Sequence, residues 1–553
     1  MMEALDLILS DGPKFGYVLK MNKGKYLIGR CATDEEAFLR RDALIAKGLS
    51  EDIIKLHPDN GGDAAEYGVK VLGSYVGTDE FMAVNLESKL VELKVEADAL
   101  IRNISNYQIR NLTLRYSFST KIIYLLRTIP PDVIEPFVVG FENLEKKILC
   151  SLLDIEPNEL TDFSWRLSNI SIKQGGLGLG DKMKMRFSAF HTSSLTFLEE
   201  AKRLFGGDVV ARTRWKEQSD ELFAKLEVWD PGTQYTGDAA ALDKLNSFQK
   251  LQSFLSHFYE KFNYTELLDS VATDKRKTAW LVSNHDSISK KFDNPNGLWL
   301  EVNPKSRMHR ISNKNFAAAL NLRLFLRRRN YHLNAKCGCK KIVDNEGCHF
   351  ITGCNNTKRI TLHNMVRDQV DVMLRCNGLQ TIKEDREAFR IPEGGKSKIP
   401  DITVFHVSSE STVVLDVRLT SPVPLTGNAK FDGNPLTPGR AAEKALREKT
   451  REYKGINEID QGEIRLVPIV AEISGRFHED SLEFFYSVFA ATQKARGIPL
   501  HTTWRYWMSA LMVTLQNGIG FAIHHYSDKV NRDVAPIHRQ HLEVDNIMGL
   551  GLS

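Results

Sequence analysis

The sequence predicts a mixed protein, mostly α-helical through its N-terminal half, with a small metal-binding knuckle followed by an α/β core and C-terminal helices. Three observations predict it. Leucine and valine recur at helical spacing over much of residues 81–300, metal-ligating side chains crowd into CGCKKIVDNEGCHFITGC at 337–354, and KIPDITVFHVSSESTVVLDVRLTSP at 398–422 alternates as paired strands do. A chain of 553 residues with 42% apolar and 26% charged residues has the make-up of a soluble globular protein of two to four domains. The net charge of +4 says little about partners until its distribution is considered. No apolar run reaches the roughly 18 residues that span a bilayer, and the N-terminus carries Glu3 and Asp6 in place of a basic-then-apolar leader. A nuclear or cytoplasmic protein is expected, neither secreted nor held in a membrane. Five of the seven cysteines fall between 337 and 376, which suits a reducing compartment and a local metal site better than a disulfide framework.

From the N-terminus, a short amphipathic helix and a Gly12-Pro13 turn lead into FGYVLKMNKGKYLIGR, where Val18, Tyr26, Leu27 and Ile28 suggest strands paired across Asn22-Lys23-Gly24. A Gly-punctuated strand, KVLGSYVGT, follows at 70–78. Helices then run from Val84 to Ile104 and through Leu125, Leu126 and Arg127, the latter stopped by Pro130-Pro131. Residues 181–300 are again helical, with Phe248, Leu251, Phe254 and Leu255 forming a core stripe on one face.

Between 302 and 343 the composition changes: this window holds no Asp or Glu and eleven Lys or Arg. A helix over Phe316 to Arg329 would turn Phe316, Leu320 and Leu324 inward and place Arg323 and Arg327 on another face. With Arg328, Arg329, Lys336, Lys340 and Lys341, and with Tyr331 and His332 beside them, this basic arm reads as a footprint for a nucleic-acid backbone, against the alternative of a generic basic surface. In the cysteine cluster, Cys337, Cys339, His349 and Cys354 make a four-ligand S₃N set suited to a closed tetrahedral zinc site. Cys348 stands as an alternative to His349.

The 398–422 stretch is expected to form an antiparallel hairpin turning over Ser408 to Ser411. Asp401 would open the first strand and Asp416 close the second, so the turn brings both carboxylates to one end, within reach of one divalent cation. Arg418, two residues on, points to the same face. Such a set suits metal-assisted phosphodiester hydrolysis, although Asp near strand ends is also common turn chemistry. TLHNMVRDQVDVMLRCN at 361–377 is a helix with Leu362, Val366, Val370, Met373 and Leu374 inward, closed by Gly378. His363 and Asp368 sit on or near its exposed side. Thr437 would cap a second helix with Pro438 in its first position, carrying Lys449 and Tyr453 at i and i+4 on one side. LVPIVAEIS at 466–474 is a buried strand, and the aromatic-rich helices beyond 476 would pack over the sheet.

Pro400-Asp401 and Asp416-Val417-Arg418 resemble the PD-(D/E)XK nuclease pattern, with Arg418 where that pattern has Lys. In the restriction-like endonucleases of non-LTR retrotransposons the lysine is often displaced to a following helix, as Lys449 and Tyr453 would be in AAEKALREKTREYKG. Upstream, GYVLKMNKGK, KVLGSYVGT, LLRTIPP and QGGLGLGD, in this order, are similar to the last palm motifs and the thumb of a non-LTR reverse transcriptase, with Lys25 at the late palm lysine. The Cys/His cluster likewise resembles the CCHC knuckle between thumb and endonuclease in that family, with a tighter first gap.

The resemblance implies residual late-palm strands at 1–80, a thumb-like helical region at 81–200, a helical connector at 201–300, the basic arm and CCHC zinc knuckle at 301–360, a restriction-like endonuclease at 361–490 and a C-terminal helical tail at 491–553. It implies a DNA endonuclease that also binds nucleic acid. Asp401 and Asp416 would ligate the catalytic Mg²⁺ or Mn²⁺, Lys449 would orient or activate water, and Arg418 and Tyr453 would hold phosphate. In that nuclease fold an acidic residue of the 361–377 helix, or Glu384, would be a candidate third metal ligand. The partners would be a DNA target and the element's RNA, with the protein acting on DNA as a monomer or a dimer. The polymerase aspartates of the family are expected upstream of the first motif, so polymerase activity is not expected from this chain alone. A catalytically inactive nucleic-acid-binding relic is the alternative.

Overall fold

The computed structural model describes residues 7, 10–15, 24–205, 224, 251–285, 294–326, 337, 339–341, 343–354, 357–389, 398–408, 411–423, 433–457 and 464–548. In chain order the principal elements are β1 (Tyr26–Ile28), α1 (Asp34–Ala46), β2 (Ile54–Leu56), β3 (Gly68–Val71), β4 (Ser74–Gly77), α2 (Asp79–Asn103), α3 (Tyr107–Thr113), α4 (Ile123–Thr128), α5 (Pro131–Leu153), α6 (Asp162–Asn169) and α7 (Lys182–Phe205). There follow α8 (Leu251–Ser270), α9 (Lys275–Asn284), α10 (Asn313–Arg323), α11 (Thr357–Cys376), β5 (Gln380–Lys383), β6 (Ile402–Ser408), β7 (Ser411–Thr420), α12 (Arg440–Asn457), β8 (Ile464–Glu472), α13 (Glu479–Arg496) and α14 (Leu500–Met548). The fold is therefore mixed, mostly helical with small sheets. Among the described residues no helix is long and apolar enough to cross a membrane. The chain divides into two compact units: Met1–Asp98, Thr120–Leu144 and Lys182–Phe258 form the first, and Ala99–Ser119, Glu145–Asp181 and Tyr259–Ser553 form the second.

In the first unit β1 pairs in parallel with β2, over a core of Ile28, Ala37, Leu44, Leu49 and Ile54. The strand expected before the Asn22-Lys23-Gly24 turn lies outside the described residues, and the observed partner of β1 is supplied from beyond α1 instead. Thr33 caps α1 by accepting the Glu36 N–H, as a threonine before a helical run should. The single strand expected at 70–78 is two, β3 and β4, paired antiparallel about a turn in which both Leu72 (φ 49°) and Gly73 (φ 90°) are left-handed. That is the backbone a tight hairpin needs, and a leucine at such a position carries no sequence signal for it. Pro130-Pro131 stops α4 as expected, but Pro131 also opens α5, where its missing N–H costs no hydrogen bond.

His191 on α7 is almost fully buried, and no partner for its Nε2 exists among the described residues. Burial pushes its pKa down to about 4. An unfolded histidine protonates near 6.5, so the neutral buried form contributes stability that is fully present above that pH and is lost as pH falls toward the folded value. Between pH 7 and pH 5 this site should cost roughly 2 kcal/mol of stability, at about 1.4 kcal/mol per pH unit below 6.5. Urea midpoints at the two pH values check it: the fall should be smaller in His191→Gln, and an equal fall in both proteins would contradict the assignment.

In the second unit the Gly-rich loop after α6 is shaped by its glycines. Gly175 is left-handed at φ 95°, and a Cβ on Gly176 would lie 2.0 Å from the Ile170 carbonyl oxygen. Leu177 and Leu179 of the same loop are core residues. The helix expected over 316–329 is α10, which starts under a Ser312 cap and ends at Arg323, followed by left-handed Phe325 (φ 53°). Phe316, Leu320 and Leu324 are buried as expected.

The second unit also holds a four-stranded sheet in the order β5-β6-β7-β8. The first three strands are antiparallel, while β8 runs parallel to β7, a pairing that requires a crossover, here supplied by α12. α11 precedes the sheet with Leu362, Val366, Val370, Met373 and Leu374 all buried, and Gly378 closes it in the left-handed region. The expected start of α12 is corrected. Thr437 and Pro438 lie before it, and its first N–H groups, those of Ala441 and Ala442, donate to Oε1 of Glu472 at 3.1 Å each. The carboxylate ending β8 thus does the capping that the local sequence assigned to a threonine. Burial raises the Glu472 pKa against these donors and Ser283. α13 packs on β8, and α14 packs on α10 and α11, so the aromatic C-terminal helices do enclose the core of this unit.

Candidate active site and metal centre

The 402–420 hairpin forms, and Ile402 pairs with Leu415, so Asp401 and Asp416 stand next to each other where the β6–β7 pairing ends. The expectation that Asp416 closes its strand is corrected: β7 continues to Thr420, held by its parallel pairing with β8. The residues between Ser408 and Ser411 lie outside the described set. A cleft of about 280 Å³ opens here, lined by Arg359, His363, Asp401, Asp416, Arg418 and Lys449, with Ile351, Thr352, Ile360, Val417 and Leu419 filling the gaps. Four elements converge on it: α11, the start of β6, the end of β7, and α12. On α12, Lys449 and Tyr453 fall one turn apart, and both reach Asp416. Lys449 Nζ lies 3.0 Å from Oδ1 and 3.1 Å from Oδ2, and Tyr453 Oη donates to Oδ2 at 2.7 Å. Asp401 is held differently, its Oδ2 accepting the Val417 N–H at 2.6 Å and its Oδ1 lying 3.0 Å from His363 Nε2.

The electrostatics follow from this packing. Burial, aided by the charge of Asp401, raises the Asp416 pKa above the ordinary carboxylate range, while Lys449 and Tyr453 oppose the shift. Burial works against the Lys449 ammonium, but the attraction of Asp416 outweighs it and the lysine pKa is raised. Lys449 is therefore a cation at neutral pH, suited to orienting a water or neutralising an oxyanion and not to taking a proton. The Tyr453 hydroxyl is pushed up by burial and by the Asp416 charge, so it remains a donor. Arg418 is exposed on the same face as Asp416. The other acids proposed as a third ligand do not line the cleft: Asp368 pairs with Arg367 and Lys383, and Glu384 with Arg367. The side chain of α11 that lines the cleft beside Asp401 is His363. Its position on the helix was legible, but its direction was not, because the face of α11 toward Asp401 is set by how the helix packs on α14 and β7.

The Cys337, Cys339, His349 and Cys354 ligand atoms all lie within 4.8 Å of one another. Two edges of this cluster measure 3.5 Å (Cys337 Sγ to Cys354 Sγ) and 3.3 Å (Cys339 Sγ to His349 Nε2). Zinc–sulfur bonds of about 2.3 Å in a tetrahedron imply edges a little under 4 Å, so the four donors fit a metal such as zinc. His349 belongs to the cluster and Cys348 does not. Cys348 is fully buried, and burial, Asp344 and Glu346 all disfavour its thiolate. Asp344 holds the turn by accepting the Cys348 and His349 N–H groups at 2.9 and 2.8 Å, and Arg276 of α9 pairs with both Asp344 and Glu346.

The basic arm is only partly as expected. Arg323 is corrected: it is 3% exposed, and its guanidinium donates to the carbonyls of Gly176, Ile172 and Asn296. Burial and the neighbouring Arg115 push its pKa down to about 9. It is a structural lock on the Gly-rich loop and is not presented to a phosphate. The loop carbonyls that draw it inward cannot be seen in a local charge count. Lys340 and Lys341 are exposed, as are Lys305, Arg307, Arg310 and Lys314. Arg327, Arg328, Arg329 and Lys336 lie outside the described residues. No protein-family model matches this chain, and a search of the curated proteins returns no match.

Proposed function

We propose that the second unit is a metal-dependent DNA endonuclease of the PD-(D/E)XK type, within a protein related to non-LTR retrotransposon reverse transcriptases. The observation that carries this reading is the convergence of Asp401, Asp416 and Lys449 on one cleft, from a hairpin and a following helix, with buried Tyr453 donating to Asp416. The element order helix, three strands, helix, strand supports it. The two carboxylates fit Mg²⁺ or Mn²⁺ in donor chemistry, being hard oxygen ligands in one cleft, with one of them raised in pKa partly by the other's charge. Asp401 and Asp416 would hold a divalent cation, which when bound would supply Lewis-acid polarisation of the phosphate and an acidified water. The chain's own residues do the rest. Lys449 orients the water and offsets charge on the phosphate, Tyr453 fixes Asp416, and Arg418 with Arg359 binds the flanking phosphate oxygens. Exposed Lys340 and Lys341, with Arg327, Arg328, Arg329 and Lys336, carry the DNA or RNA backbone.

Lys449→Ala should lower the rate of nicking of supercoiled plasmid by roughly 10²-fold at unchanged DNA affinity, and an unchanged rate would overturn its role. A second reading, an inactive nucleic-acid-binding relic, is favoured by one observation: every oxygen of Asp401 and Asp416 already has a partner from the chain itself. Such a protein would bind nucleic acid and cut nothing with either metal.

A further inference from the structure

The nuclease reading leaves one cleft residue without a role. His363 comes from α11, outside the strand pair and outside the lysine-bearing helix, and its Nε2 lies 3.0 Å from Oδ1 of Asp401. Its side chain is 32% exposed, toward the same cleft that Asp416, Arg418 and Lys449 line.

The two oxygens of Asp401 are not equivalent. Oδ2 is committed to the Val417 N–H at 2.6 Å, a backbone contact that holds the start of β6 against β7. Oδ1 is the oxygen left to face a ligand, and its partner is the imidazole. Two donors bound side by side to an octahedral cation at about 2.1 Å stand about 3.0 Å apart, which is the separation of His363 Nε2 and Asp401 Oδ1. The carboxylates offered by α11 and its surroundings are spent elsewhere, Asp368 and Glu384 on Arg367 and Asp371 on Arg375. Histidine is then the residue from this helix that reaches the cleft with a metal-ligating side chain; in the metal-free contact its Nε2–H donates to Oδ1, and that proton must move to Nδ1 for Nε2 to ligate an ion.

Resting on the nuclease reading above, we propose that His363 is a third protein ligand of the catalytic cation, beside Asp401 and Asp416, and that it biases the site toward Mn²⁺ and similar transition ions over Mg²⁺. In its Nδ1–H tautomer the ring presents the Nε2 lone pair to the ion that Oδ1 binds. Imidazole is a good ligand for transition ions and a poor one for Mg²⁺, which keeps to oxygen donors. A cleft built from two carboxylates alone would carry no such preference beyond the ordinary order of affinities. His363 is thereby a specificity-determining residue for the ion, where a carboxylate in its place would make an all-oxygen site.

Direct cation binding tests this without reference to activity. The full chain, with its zinc content verified, is titrated with Mn²⁺ and the bound ion followed by electron paramagnetic resonance, then displaced with Mg²⁺. Wild type, H363A, H363E and D401N are compared. Expected are a Mn²⁺ site lost in D401N, affinity for Mn²⁺ lowered by tenfold or more in H363A, on the order of what losing even an outer-shell partner costs, and a Mn²⁺-over-Mg²⁺ preference that narrows in H363E because Mg²⁺ binding improves. If Mn²⁺ binds in a manner that needs Asp401 but H363A keeps both the affinity and the preference, the histidine is no ligand and this inference falls while the nuclease reading stands. If no binding depends on Asp401, the nuclease reading falls and takes the inference with it.

Discussion

Asp401→Asn is expected to reduce cleavage of duplex DNA to background while leaving DNA affinity close to that of the wild type. The substitution keeps an oxygen for the Val417 N–H, whose 2.6 Å contact ties the start of β6 to β7, so the fold should survive. What it removes is the charge that faces His363 and the cleft. Affinity should persist because phosphate contacts from the basic residues, not the two carboxylates, supply most of the binding. The corresponding change at Asp416 is less informative. Lys449 is largely buried against that carboxylate, and removing the carboxylate leaves the ammonium with the half-exposed Glu452 as its remaining ion-pair partner among the described residues, which destabilises the core by itself. Plasmid nicking and a salt-dependent binding titration on the same Asp401→Asn preparation separate the two effects. Cleavage at the wild-type rate would make the hairpin merely structural.

Chelation of zinc is expected to unfold residues 337–354, and the purified reduced protein should carry close to one equivalent. Its own apolar core is small, Cys337, Val343, Phe350 and Cys354 with Cys339 packed against it, so three of the four donors are themselves part of that core or at its edge. A structural zinc in such a small element is worth on the order of 10 kcal/mol. Cys337→Ser should lose the metal, and Cys348→Ser should keep it, because Cys348 lies outside the ligand cluster. Elemental analysis of the two variants decides this, and hydrogen exchange over 337–354 reports the unfolding. Metal content near zero in the reduced wild type would contradict the assignment. Loss of zinc should be felt beyond the knuckle, since Arg276 on α9 pairs with Asp344 and Glu346 at its base.

Legibility in the sequence followed the range of the interaction. Asp401 and Asp416 could be placed at one end of a hairpin because strand alternation and a short turn are local, and Lys449 and Tyr453 on one side of a helix because i and i+4 are neighbours. The four clustered Cys and His donors were legible for the same reason, all falling within one short stretch. Four features were not. Arg323 counts as one more charge in a basic window, yet the carbonyls that bury it come from the loop after α6, some 150 residues earlier. The cap of α12 comes from Glu472 on the strand that follows the helix, so the Thr437-Pro438 pair, a good local start signal, loses to a long-range carboxylate. His363 lies on a helix whose apolar stripe was plain, but which of its polar flanks faces Asp401 depends on the packing of α11 in the fold. β5 went unread because its four residues, largely exposed, carry no alternation.

The central claim is that Asp401, Asp416 and Lys449 form a working phosphodiesterase site. The most direct measurement is nicking of supercoiled duplex DNA by the purified, zinc-loaded full chain, in Mg²⁺ or Mn²⁺, with and without EDTA. Nicked product that appears with either cation, disappears with EDTA and is absent from the Asp401→Asn protein is the predicted result. Intact plasmid under all these conditions, from wild-type protein that still binds the same DNA, would contradict it and leave a nucleic-acid-binding protein with an inert cleft.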